Sequence, residues 1–296
     1  MSRTNQSKAY LFALLTVLSW STVATAFKIA LRELNYIQVL VIANAIALGV
    51  YGLILVFRRE RVKILPLSGS DLGFSVAQAL LNPFGYYLIL FKVYSILPAQ
   101  IAQPVNFIWP VVLMILSAPL LKQPIRLTGL IALLISFAGV VVLSSQGNLV
   151  HFRIKEPVGI ALALSSSVVW SLFWIINIKD KRDDVLKLFL SAMISFAFVL
   201  VLAAATGNLS FIFTKPLLPA VYIGLFEMGI PFVLWLKALQ LSESTGKISN
   251  LIYLTPFLSL IFIHTILKER LYYTSFIGLG LIIAGIIIQR IKKQPS

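Results

Sequence analysis

Long apolar segments fill most of the chain and are separated by short breaks that carry charged residues, glycine or proline. Each segment has roughly the 20 residues that an α-helix needs to cross the hydrocarbon core of a bilayer, whereas membrane β-strands are shorter and alternate in polarity. The pattern predicts an all-α membrane protein. Its ten transmembrane helices are expected near residues 9–31, 36–57, 72–95, 98–120, 125–145, 157–178, 185–206, 216–240, 244–267 and 270–291.

The second half of this pattern repeats the first. A shift of 146 residues places Pro110 on Pro256 and Gly139 on Gly285. Because each repeat has an odd number of helices, the second repeat is expected to cross the membrane in the inverted orientation. Inverted repeats are typical of alternating-access carriers, whose substrate site lies near the midplane where the halves meet. The two predicted five-helix repeats are residues 9–145 and 157–292.

Composition supports a membrane protein, because 59% of the residues are hydrophobic and only 12% are charged. A soluble domain of this size could not bury so much apolar surface. The net charge of +15 does not indicate a nucleic-acid partner, since the basic residues lie in short breaks between apolar segments. Fifteen Lys and Arg residues flank breaks on the side of the amino terminus and six flank those on the other side. This bias predicts a multi-pass protein of the plasma (cytoplasmic or inner) membrane with both termini cytoplasmic and the lipid bilayer as partner.

Several local patterns resemble a known family. They are Trp20-Ser21 in the first helix, the central prolines of the fourth and ninth helices, and Leu267-Lys268-Glu269 after the ninth. Over essentially the whole chain the sequence resembles the drug/metabolite transporter superfamily, specifically its EamA-type carriers with ten helices in two inverted EamA repeats. The resemblance implies export or exchange of small organic solutes, including amino acids, other metabolites and toxic compounds. The first repeat departs from the family pattern at Gln123, where many members carry a glutamate like Glu269.

Glu227 is the only acidic residue near the middle of a predicted span. An ionised carboxylate at that depth is costly unless it faces a wet cavity or a partner. We expect a protonatable group that binds a substrate amine or couples proton movement, with a neutral, hydrogen-bonded acid that holds helices together as the alternative. The repeat places Asn82 at the equivalent position of the third helix.

Tryptophan and amide residues mark further positions inside the spans. Tryptophan prefers membrane interfaces, but three tryptophans fall near span centres: Trp20, Trp109 and Trp170. We therefore expect that they form a ligand-facing surface, with ordinary helix packing as the alternative. Polar residues recur every three positions in the fourth helix, and a counterpart stripe in the ninth helix comprises Asn250, Tyr253 and Thr255. The predicted substrate-binding residues are Trp20, Asn82, Gln103, Asn106, Trp109, Trp170, Glu227 and Tyr253.

These observations predict a secondary, non-ATP transporter of small organic solutes that works by alternating access. Its cavity is expected between helices one, three, four, six, eight and nine. Aromatic residues with one acid and several amides suit a small amphipathic or zwitterionic molecule, so we expect an exporter of amino acids or related metabolites. Protons are a candidate coupling partner, and a facilitative carrier without ion coupling is the alternative.

An enzyme acting on lipid-linked substrates is a rival from another class. The residues Asp180, Asp183 and Asp184 resemble one of the paired acidic motifs of membrane prenyltransferases, but no second cluster follows and basic residues interleave with this one. The sequence has no glycine loop for phosphate, no metal-ligand spacing and no cysteine. We therefore predict no catalytic residue, no metal and no cofactor.

Overall fold

The computed structural model describes residues 5–58, 68–122, 127–148, 156–209, 217–243, 248 and 251–288, with the backbone alone for 128–130. Within these ranges the regular structure is entirely helical. Several predicted features lie outside the described residues: Gln123, Asn250, positions 289–292 of the second repeat and a number of the loop Lys and Arg residues.

The helices follow one another with short connections. In chain order they are α1 (Gln6–Glu33), α2 (Tyr36–Phe57), α3 (Gly69–Ile96), α4 (Ala99–Leu121), α5 (Leu127–Ser144), α6 (Pro157–Lys179), α7 (Asp184–Ala205), α8 (Leu218–Leu241), α9 (Leu254–Leu267) and α10 (Tyr273–Ile288). In the described part of the chain, seven helices are long and apolar enough to cross a membrane, and α5, α9 and α10 contribute shorter apolar helices. The all-α membrane fold is confirmed, while the count of ten spans stays a prediction.

Helices α3 and α8 are interrupted at positions that the repeat superposes. A π-helical segment runs over Leu80–Gly85 in α3 and over Gly224–Gly229 in α8. Asn82 lies in the first segment with an extended backbone (φ −151°, ψ 124°), and Glu227 lies in the second. Because π-helical segments disturb the regular backbone ladder and occur frequently at functional sites, these two breaks draw attention to the centre of the bundle.

Contacts between helices come in matching pairs. Helix α1 packs on α8 and α9, and α6, its counterpart in the second half, packs on α3 and α4. The pairs α2 with α7 and α5 with α10 complete the arrangement. Lys122 and Lys268, which the repeat superposes, both end their helices in the left-handed conformation, with φ of 54° and 58°. The two halves are thus intertwined, and their first helices are exchanged.

Hydrogen bonds hold α1 between its two partners. The hydroxyl of Thr16 donates to the backbone oxygen of Pro231 on α8 at 3.4 Å, and that of Ser21 donates to the backbone oxygen of Thr255 on α9 at 3.3 Å. Each hydroxyl is also within hydrogen-bonding distance of the carbonyl four residues earlier in α1. Small hydroxyl residues permit close helix packing inside a membrane, so the middle of α1 is fixed against the second half.

The backbones of α5 and α10 approach each other closely. A Cβ atom built on Gly278 would lie 2.6 Å from the backbone oxygen of Gly139, and one built on Gly139 would lie 2.6 Å from that of Gly278. Glycine at both positions lets the two backbones meet, as in other tightly packed membrane helices. This contact fixes the last helix of one half to the last helix of the other.

A candidate solute site between the two halves

A central cavity lies among α1, α3, α4, α6, α8 and α9. It contains about 680 Å³ of space free of atoms, a figure that includes its open mouth. The described residues that line it are Trp20, Val23, Phe27, Tyr86, Leu90, Tyr94, Gln103, Asn106, Phe107, Trp109, Trp170, Trp174, Glu227, Trp235, Ile252 and Thr255. Both halves of the chain therefore contribute to one predominantly aromatic cavity.

All five tryptophans of the chain line this cavity. Trp170 lies at the centre of the aromatic cluster, with its ring centroid 4.5 Å from that of Tyr86, 6.5 Å from Trp109 and 5.9 Å from Trp174. Tryptophan in membrane proteins is usually found at the lipid–water interface. Its exclusive use around an internal cavity indicates walls built to hold an apolar or cationic body.

Glu227 places a carboxyl group in these aromatic walls, with 8% of the residue exposed. The hydroxyl of Tyr87 donates to its Oε1 at 3.0 Å, and Nε1 of Trp20 donates to its backbone oxygen at 3.3 Å. Its other carboxyl oxygen, Oε2, is buried and has no hydrogen-bond partner among the described residues. The break in α8 thus presents a carboxyl group of which one oxygen is held and one is available.

Two amide side chains from α4, those of Gln103 and Asn106, also line the cavity. Asn106 accepts from the hydroxyl of Tyr86 at 3.2 Å and donates to Oγ of Ser166 at 2.8 Å. These bonds fix the orientation of its amide. The Oε1 atom of Gln103 is buried without a partner in the described structure. Gln103 therefore retains an unused acceptor, whereas Asn106 is largely occupied.

The structure brings together six of the eight predicted site residues, all in the cavity lining: Trp20, Gln103, Asn106, Trp109, Trp170 and Glu227. Asn82 and Tyr253 lie outside the lining. Asn82 is buried in the break of α3, and Tyr253 packs its ring on Phe107 with a centroid distance of 6.5 Å. Gln100, the first residue of the predicted polar stripe, hydrogen-bonds to Arg270 and Ser275 at the end of the bundle instead.

Several residues of the site were not predicted from the sequence. Tyr86, Tyr87 and Trp235 surround or contact the carboxyl-bearing part of the cavity, yet tyrosine and tryptophan within an apolar span carry no mark of which face they occupy. Trp174 could have been predicted from its spacing in the sequence. It follows Trp170 by four residues, which places both side chains on the same helix face.

Hydrogen bonds join the two halves at one end of the bundle. The carboxylate of Glu269, just after α9, accepts from the backbone N–H groups of Ala99 and Gln100 at 3.0 and 3.2 Å. Lys28 donates from α1 to the backbone oxygens of Tyr94 and Leu97 at 2.9 and 3.0 Å. These bonds join the start of α4 and the end of α3 to the second half and to α1.

The opposite end is joined by ion pairs. Asp180 is bound by Arg182 at 2.5 Å and by Nε2 of Gln78 at 2.8 Å, which ties the α6–α7 connection to α3. Burial acts to raise the pKa of Asp180, but the hydrogen bonds from Arg182 outweigh it and hold the pKa below its usual value. Asp183 and Asp184 are likewise paired, with Arg58 at 2.8 Å and Lys187 at 2.7 Å. Across the described residues no group of three or more side chains is placed to hold a metal ion.

A helical membrane bundle around a central cavity shared by both halves is the architecture of a membrane transporter. The chain belongs to the EamA-like transporter family, whose sequence profile matches it twice, over residues 7–145 and 157–290. The protein is accordingly a transporter and not an enzyme.

Relatives and a solved structure agree with this family. An uncharacterized transporter of Clostridium kluyveri is 26% identical over 300 residues, which span 98% of this chain and 95% of that protein. An uncharacterized transporter of Archaeoglobus fulgidus is 26% identical over 292 residues, 95% of this chain and 98% of that one. A crystal structure of a protein with 21% identity superposes with a TM-score of 0.65 over 97% of each chain, which shows the common fold.

Proposed function

We propose that the protein is a secondary, non-ATP transporter that exports small organic solutes, of the class of amino acids and related metabolites, by alternating access. The observation that carries this proposal is the central cavity, in which five tryptophans and one carboxyl group from both halves meet. A site shared by two intertwined halves is reached from either membrane face when the halves rock against each other. The predicted binding residues in the lining hold the solute, and Tyr253 supports Phe107 from behind.

The proposal includes ten spans in two inverted repeats, residues 9–145 and 157–292. The exchanged packing of α1 and α6 supports the inverted repeats. Helix α1 contacts α8 and α9, and its counterpart α6 contacts α3 and α4, the helices that correspond to α8 and α9 in the first half. The matching breaks that hold Asn82 and Glu227 support it as well. Together with the bias of loop Lys and Arg residues, this arrangement favours the cytoplasmic membrane with both termini inside the cell.

Coupling to protons through Glu227 is a second element of the proposal. Its Oε2 has no partner in the described structure, so the carboxyl group is free to exchange a proton for a solute group. The titratable side chains near it on the packed helices, among the described residues, are tyrosines. Tyr51 of α2 bonds the neighbouring Met228 carbonyl, and Tyr86, Tyr87 and Tyr94 lie on α3. A carboxyl group that carries either a proton or the solute links the movement of protons in one direction to the movement of solute in the other. A facilitative carrier would lack this link.

The test is transport by purified protein in liposomes. Liposomes are loaded with a mixture of amino acids and their amine derivatives, and release is compared with protein-free liposomes and with the Trp170→Ala variant, which removes the central ring of the cavity. We expect release that depends on the protein and is strongly reduced in the variant. If the protein moves no amino acid or related metabolite under any gradient, the proposal is wrong. Metabolite levels in the medium of cells with and without the protein then establish direction, with export raising them.

A further inference from the structure

The charges around the central cavity discriminate between candidate solutes. Glu227 carries the only carboxyl group in the described lining, and no Lys, Arg or His accompanies it there. Lys28 on α1 is directed to the backbone oxygens of Tyr94 and Leu97, and Lys92 and Lys237 are exposed on the outside of the bundle. An anionic group that entered the cavity would therefore find a carboxyl group and no cation among the described residues.

The unpaired polar atoms of the lining have the same bias. Three buried oxygens lack a hydrogen-bond partner in the described structure, namely Oε2 of Glu227, Oε1 of Gln103 and Oγ1 of Thr255. Among the buried side-chain atoms of the described lining, the one nitrogen without a partner is Nε1 of Trp174. An ammonium group has three N–H donors and no acceptor, so it complements a set of oxygens. A carboxylate has only acceptors, so it can accept from the Thr255 hydroxyl but cannot satisfy Oε1 of Gln103 or an ionised Oε2 of Glu227.

The aromatic walls favour the same sign of charge. The faces of tryptophan and tyrosine rings carry negative electrostatic potential and attract a cation. Trp20 places its ring centroid 5.9 Å from that of Trp235, and its Nε1 bonds the backbone of Glu227, so aromatic faces and carboxyl group belong to one continuous surface. The rings also accept the apolar body of a solute.

We propose that the cavity selects organic amines that lack a carboxylate: a protonated amino group binds Glu227 and an aryl or alkyl body packs between the tryptophans. This inference rests on the proposed transport function and narrows its substrate class. Amino acids themselves would bind weakly, since burial of their carboxylate without a cationic partner is costly. Decarboxylated amino acids have the favoured chemistry.

Three probes with a common phenylethyl body test the selection: phenethylamine, phenylalanine and phenylpropionate. Because every tryptophan of the chain lines the cavity, quenching of intrinsic fluorescence in the purified full-length protein reports on this site. We expect phenethylamine to bind at least about tenfold more tightly than phenylalanine, because a hydrogen bond to a charged group contributes enough free energy for a tenfold change in Kd. Phenylpropionate is expected to bind least.

Three variants separate the role of the charge from effects on folding. Glu227→Gln is expected to lose the preference for phenethylamine, and Glu227→Asp, which keeps the charge, is expected to retain it. Glu156→Gln makes the same change at an exposed residue without a side-chain cap and is expected to match the unmodified protein. If Glu227→Gln retains the preference, Glu227 is not the selecting group and the inference is wrong.

The remaining outcomes distinguish this inference from the proposed function. If phenylalanine binds as tightly as phenethylamine, charge selection is overturned, while binding in the cavity still supports a metabolite carrier. If none of the three probes binds, the selection is also overturned, and the liposome experiment with mixed metabolites decides separately whether the transport proposal stands. Release of amino acids without release of amines in that experiment would contradict the inference and support the broader function.

Discussion

The Glu269 carboxylate hydrogen-bonds the backbone N–H of Ala99, so a residue of the second half caps the first turn of α4 in the first half. The N–H of Gln100 is bound by the same carboxylate. Helix amino termini attract negative charge, and carboxylate oxygens satisfy their unpaired N–H groups. Because Gln103 and Phe107 of the cavity lie on this helix, the contact must break if α4 is to move away from the second half.

Glu269→Gln is expected to open this end of the bundle more often. The amide lacks the charge that stabilises the helix terminus, an effect of about 1 kcal/mol. The chain contains no cysteine, so Gln103→Cys creates a single labelling site in the cavity. We expect a membrane-impermeant maleimide to label this site several-fold faster when Glu269→Gln is also present. Equal rates in the Glu269→Gln and Glu156→Gln backgrounds would show that the contact does not limit access.

Glu227→Gln is expected to abolish transport driven by a pH gradient, because glutamine carries no exchangeable proton. Uptake of a solute into liposomes is measured with and without an imposed pH difference. Tyr87→Phe is the matched control, since it removes the hydrogen bond to Oε1 and leaves the carboxyl group in place. This variant is expected to retain part of the response to the gradient. An unchanged response in Glu227→Gln would refute proton coupling through this residue and favour a facilitative carrier.

Gly278→Ala is expected to destabilise the protein by pushing α10 away from α5. The added Cβ would meet the backbone oxygen of Gly139 at 2.6 Å, and backbone cannot yield as a flexible side chain does. Overpacking of this kind costs about 1–3 kcal/mol, so we expect a clear fall in the thermal midpoint of the detergent-solubilised protein. Gly280→Ala is the control from the same helix, because no described atom lies within 4 Å of its added Cβ. Equal midpoints for the two variants would contradict the close approach.

The Asp180 ion pair predicts a specific dependence of stability on pH. The pKa of this carboxyl is below its usual value in the folded protein, with the Arg182 hydrogen bonds outweighing the opposing effect of burial. The ionised carboxylate thus contributes stability that is fully present above the unfolded pKa of about 3.9 and is lost as pH falls through the lower folded pKa. We expect Asp180→Asn to lower the thermal midpoint near neutral pH and to differ less at acidic pH. A difference that grows on acidification would have the wrong sign.

Hydropathy located the apolar helices because a membrane-spanning helix must bury its backbone polar groups and present apolar side chains over its whole length. It was less accurate at helix ends. The third span was predicted to begin at residue 72, but Ser68 and Asp71 form a capping box that starts α3 at Gly69. Such polar caps lie outside the apolar segment, so hydropathy does not detect them.

The cavity was only partly accessible from the sequence. Polar and tryptophan side chains near the middle of a span are unfavourable in lipid, so their presence there indicates an internal surface. Hydropathy therefore identifies Glu227 and Trp170 as candidates. Tyr86 and Trp235 were not, since only the packing of neighbouring helices decides whether an aromatic residue faces lipid or the interior. The repeat also suggested equivalence of Asn82 and Glu227, yet Glu227 alone of the two lines the cavity. Sequence symmetry does not require a symmetric site.

The exchange of α1 into the second half has a consequence for biosynthesis. During translation α1 enters the bilayer long before α8 and α9, its eventual neighbours, have been made. It must wait there while carrying hydroxyl groups on a largely apolar helix. Its Thr16, Ser19 and Ser21 hydroxyls already bond carbonyls four residues earlier within the same helix. These internal bonds satisfy three hydroxyls of α1 before any partner helix is present. Lys28, by contrast, bonds carbonyls of α3, and Oγ1 of Thr25 has no partner among the described residues, so α1 gains further polar contacts only as later helices arrive.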